Sequence, residues 1–117
     1  MVDIIKKQAE VFLLDANEFF PFATYIASDN RNVPVGAKFE DDRTPALEVI
    51  DLLERGLKDH IQKGECKIGV IAVDVVRKEN NVVYDAIELR FFELNKDIYN
   101  NYLKYKVMET YVEFFED

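Results

Sequence analysis

The chain is poor in the residues on which most recognisable site chemistry depends. Its 117 residues include one cysteine, one histidine, four glycines, three prolines and no tryptophan. A lone Cys66 excludes an internal disulfide and agrees with a reducing compartment. A lone His60 leaves no histidine pair for a transition metal and no spare base for a serine–histidine triad. Four glycines leave little room for a phosphate-cradling loop, and no CxxC or GxSxG element occurs. Basic residues are outnumbered 15 to 23, for a net charge of −8. That deficit argues against nucleic acid and against anionic lipid, both of which need clustered Lys and Arg. Long apolar runs are also missing. The longest, Ile68 to Val76, is interrupted by Asp74 and is too short to span a bilayer. The first residues lack a signal-peptide layout, so the expected location is cytoplasmic.

What is present is an apolar content of 49%, too high for a disordered chain and enough for a core without metal or disulfide. Residues 1–117 suit one domain. Asp3 to Phe20 has helical period, with Ile5, Ala9, Phe12, Ala16 and Phe19 as its expected buried stripe and Pro21 as its stop. Phe22 to Ala27 reads as a strand, Ser28 to Asn32 as a turn, and Val33 to Phe39 as an edge strand weakened by Pro34 and Gly36. Thr44-Pro45 opens a second helix with the stripe Ala46, Ile50, Leu53, Leu57 and Ile61, closed by Gly64. Gly56 inside that helix suggests close packing.

The second half is strand throughout. Cys66 to Arg77 is apolar on both faces and is expected at the centre of a sheet. Asn80-Asn81 turns it back into Val82 to Leu94. That turn opposes Asp74 to Ile87, whereas one residue earlier would oppose Asp74 to Asp85 and set like charges together. The preferred register puts Val70, Ala72, Ile87, Leu89 and Phe91 on one face and sends Glu88 and Arg90 to the other. Asn95 to Asp97 turns the chain again, and Ile98 to Val107 and Tyr111 to Phe115 supply one or two last strands. The expected fold is α+β in the order αββαβββ(β), one antiparallel sheet of five or six strands with two helices packed on it. This element order resembles a profilin-like or roadblock-like layout, a likeness of order alone.

Candidate chemistry is sparse. Asp74, Asp85 and Glu88 could form a carboxylate cluster for acid–base work or for a hard cation. The preferred register separates Glu88 from the other two, leaving Asp74 and Asp85 as a candidate pocket pair. Glu40, Asp41 and Asp42 lack the spacing of a calcium loop and read as a solvated turn before a helix. His60, with no Ser, Cys or carboxylate set beside it by spacing, and Cys66, opening a buried strand, read as structural. No catalytic residue, metal or cofactor is therefore expected. The most unusual feature is nine Phe and six Tyr. Tyr99, Tyr102, Tyr105, Tyr111 and Phe114 form the candidate interface, with Tyr102 on the opposite strand face from Tyr99 and Tyr105.

Phe19-Phe20-Pro21-Phe22-Ala23, Val73-Asp74-Val75 and Asp85-Ala86-Ile87-Glu88 together resemble an uncharacterised family of small bacterial proteins. That family implies no activity and carries over no functional residue. Lys104-Tyr105 and Val112 to Phe115 only approximate its Pro-Tyr and Gly-Glu-Leu-Phe endings.

The leading expectation is a non-enzymatic acidic protein-binding domain. It would be a homodimer joined through an aromatic sheet face, neutralising a basic partner in the manner of an immunity protein. The alternatives are a ligand-binding or enzymatic domain using Asp74 and Asp85, and a secretion-type chaperone.

Overall fold

A computed structural model describes residues 2–16, 21–35 and 46–115. Its elements are α1 (Val2–Ala16), β1 (Phe22–Ala27), β2 (Asn32–Val35), α2 (Ala46–Gln62), β3 (Cys66–Glu79), β4 (Val82–Glu93), β5 (Tyr99–Val107) and β6 (Val112–Phe115). The order is the expected αββαββββ. The strands form one six-stranded antiparallel sheet, ordered β2-β1-β3-β4-β5-β6. No helix among the described residues is long and apolar enough to cross a membrane.

The register of the central hairpin follows from its turn. Asn80 and Asn81 both take positive φ, 51° and 66°, the backbone of a two-residue turn that Asn tolerates better than other non-glycine residues. Asp74 then faces Ile87, and Val70, Ala72, Ile87, Leu89 and Phe91 share one face, as expected. At the other end of β3, Asn30 (φ 71°) turns β1 into β2, and Gly64 (φ 76°) follows α2 in left-handed conformation.

The helices lie on opposite faces. On one, Ile5, Ala9 and Leu13 of α1 pack on Val70, Ala72, Ile87, Leu89, Leu103 and Val112 of β3 to β6. On the other, Val49, Ile50, Leu53, Leu57 and Ile61 of α2 pack on Ala23, Cys66, Ile71, Val73 and Phe92. Each helix therefore covers a different part of the sheet, α1 toward β6 and α2 toward β1.

Two expectations about the core are corrected. The buried row of α1 is Ile5–Ala9–Leu13, not the stripe through Phe12 and Ala16. α1 is apolar on two sides, so periodicity alone cannot choose the inner one. Phe12 stays 44% exposed at the margin, tilted against Phe22 at 6.0 Å. The close-packed glycine is also a different one. Gly56 faces open space, whereas a Cβ on Gly69 would lie 2.8 Å from Leu57 Cδ2. Glycine in β3 lets Leu57, fully buried, seat directly on the strand. Phe19, the segment 36–39 and Thr44-Pro45 lie outside the described residues.

Candidate functional site

Strand register decides which of the candidate residues meet. Asp74 of β3 and Asp85 of β4 stand on the α1 face, near the hairpin end. Tyr105 of β5 lies directly opposite Asp85 and donates its hydroxyl to Asp74 Oδ1 at 2.5 Å. Burial, then the Asp74 hydrogen bond and the charges of Asp74 and Asp85, hold the phenol far above its ordinary pKa. Tyr105 is thus a fixed donor between two acids, with only 4% of its surface exposed. Glu88 points to the other face and is paired with Arg90. The three carboxylates do not converge, and the described residues contain no group able to hold a metal.

The five aromatic candidates divide in the same way. Tyr99 stacks on Phe91 at 4.9 Å on the α1 face, with its hydroxyl donated to Glu93. Tyr105 is core. Phe114 is half-buried against the α1 cluster under the Lys6 ammonium, and Tyr111 is an exposed turn residue just before β6. Tyr102 belongs to the opposite, open face. The sheet therefore divides Tyr102 from Tyr99, Tyr105 and Phe114, as strand parity expects.

That open face holds residues the spacing argument did not gather. No described helix covers the α2 side of the sheet where β5 and β6 lie. The Arg77 guanidinium sits 3.6 Å above the Tyr102 ring, and the Lys104 ammonium sits 4.6 Å from the Tyr84 ring and 5.9 Å from that of Phe115. Ala86 lies between Val75 and Lys104 in this face and is fully buried there. Tyr102 and Phe115 are 43% and 40% exposed. Strand parity, once the Asn80-Asn81 turn is accepted, already puts Arg77 opposite Tyr84. That was the available signal.

His60 is better furnished than its spacing suggests. Its ring stacks on Tyr25 at 5.0 Å, and Nδ1 lies 2.6 Å from Glu65 Oε2. A carboxylate is therefore beside it after all, brought round by the Gly64 turn. Cys66 is buried, and desolvation pushes its thiol up to about 11, which keeps it protonated and unreactive. A shallow groove of about 230 Å³ runs between the end of α2 and the β4–β5 connection, lined by Lys58, Ile61, Phe92, Leu94, Lys96 and Ile98. The Glu40 to Asp42 loop lies outside the described residues.

No family model, no curated protein and no solved structure matches the chain.

Proposed function

We propose that the chain is a non-enzymatic protein-binding domain whose partner docks on the open part of the sheet. The observation that carries this reading is the set of cations lying over rings of the open face: Arg77 on the exposed Tyr102, and Lys104 on the half-buried Tyr84 and the exposed Phe115. Exposed contacts of this kind contribute only about 0.5–1 kcal/mol each to a fold. Aromatic and Arg side chains are, by contrast, the residues that dominate binding energy at interface centres. Here they stand on hydrogen-bonded strands, so little backbone freedom remains to be lost on docking. The test is affinity purification from the native host, comparing the wild-type chain with a Tyr102→Ala/Phe115→Ala variant of equal thermal stability. Loss of the specifically bound protein supports the reading; its full retention removes it.

A second reading is favoured by the net charge of −8. A basic partner would be steered in by the long-range field and neutralised, as by an immunity protein, at acidic side chains away from Arg77 and Lys104. Its association rate should fall steeply as salt rises, and a salt-independent rate excludes it. Asp74 and Asp85 enter neither reading, because Tyr105 is packed with them.

A further inference from the structure

We propose that the partner segment which docks on the open sheet is acidic, bringing carboxylates to Arg77 and Lys104 and apolar side chains to Tyr102 and Phe115. The proposal rests on the reading that a protein binds this face, and it follows from which charges there are already matched. Glu88 is paired with Arg90, Lys106 stands opposite Glu113 in register, and Glu79 accepts the hydroxyl of Tyr84. Arg77 and Lys104 are left over. Among the described residues neither makes an ion pair, although acidic side chains outnumber basic ones 23 to 15 in the chain. Both bear on Tyr84, Lys104 on its ring at 4.6 Å and Arg77 on its hydroxyl.

Desolvation then selects the chemistry of the occupant. A docked segment takes Lys104 and the already half-buried Arg77 out of water. Burying a cation without a counter-charge costs more than an aromatic ring returns. An apolar or basic segment would leave both cations unmatched. Carboxylates neutralise them, and one carboxylate can accept two hydrogen bonds from the Arg77 guanidinium. Tyr102 and Phe115, 43% and 40% exposed, offer apolar surface beside the two charges. A nucleic-acid backbone fits less well, since it carries a charge at every nucleotide and this face offers two unmatched cations in a chain of net charge −8. The same net charge repels polyanions from the rest of the surface, so capture of an acidic segment is a property of this face alone.

The test is an NMR titration of the full chain with a random copolymer of glutamate and tyrosine. At about 0.1 M salt, charges farther away than roughly 10 Å are screened. Saturable shifts should appear at the amides around Arg77, Tyr84, Tyr102 and Lys104. Arg77→Gln/Lys104→Gln should weaken the binding at least about tenfold, and Lys104→Gln alone, at an exposed position, by a smaller factor. A copolymer that leaves these amides unmoved overturns the proposal. So does undiminished binding by Lys104→Gln and by a folded double variant, or tighter binding of an oligothymidylate to the same amides. Affinity purification separates this failure from failure of the reading beneath it. A partner kept by Arg77→Gln/Lys104→Gln but lost from Tyr102→Ala/Phe115→Ala removes the acidic segment and leaves the docking face standing. A partner kept by both variants removes the docking face and the proposal with it.

Discussion

Tyr105 and Asp74, 31 residues apart in sequence, are joined by a 2.5 Å hydrogen bond in which the tyrosine hydroxyl donates. The bond spans β4, tying β5 to β3 over a strand that pairs with both. It satisfies a hydroxyl that burial would otherwise leave without a partner. Tyr105→Phe removes the donor from a half-buried carboxylate and should lower the free energy of unfolding by about 1.5–3 kcal/mol. Asp74→Asn keeps an acceptor oxygen and should cost less. Urea denaturation at neutral pH measures both, and equal effects would contradict the assigned roles.

Alkaline pH should destabilise the protein in two stages. The Cys66 thiol, near 9 when unfolded, is pushed up to about 11 by burial. A raised folded pKa means the native state holds its proton longer. The associated stability is complete below pH 9 and is lost as pH rises through 11. Tyr105, also raised, adds a further loss above its ordinary value of 10. Unfolding midpoints measured from pH 8 to 11 should fall, and Cys66→Ala should flatten the first part of that slope. An unchanged slope would mean that the thiol is not desolvated.

Gly69 lies under Leu57. Adding a methyl group at 2.8 Å from Leu57 Cδ2 forces the leucine or the helix to move. Gly69→Ala should therefore cost about 1–3 kcal/mol, the usual range for overpacking. Gly56→Ala, on the same helix but facing open space, should instead stabilise by up to about 1 kcal/mol. Thermal melts of the two variants should shift in opposite directions.

The hairpin turn offers a check on backbone strain. Asn80 and Asn81 both occupy left-handed conformation. Replacing the pair by Ala-Ala should cost about 1–2 kcal/mol per residue, while Asn81→Gly should be neutral or stabilising. Chemical denaturation of the two variants distinguishes this local cost from a loss of register, which would also abolish native amide chemical shifts along β3 and β4.

Much of this architecture is legible without coordinates. The strand limits of β1, the Asn80-Asn81 turn, the Asp74–Ile87 register and the left-handed Gly64 all follow from local chemistry. Each depends on a few neighbouring residues whose steric and charge preferences agree. The buried side of α1 did not follow, because Phe12 and Leu13 are equally apolar and the helix offers two faces. The cation–ring contacts of Arg77 and Lys104 were missed for a related reason. They form across strands, between residues that no single-segment pattern compares.

By itself the sequence determined the element order, the central hairpin and the absence of histidine, cysteine and glycine constellations, since these depend on composition and short-range sterics. Tertiary structure alone decided that the two helices take opposite faces, that Tyr105 joins Asp74, and that Arg77 lies over Tyr102. The physical reason is that burial is a property of the assembled sheet. A side chain's parity can be counted along its strand, but only the placement of a helix above it determines whether that face meets protein or water.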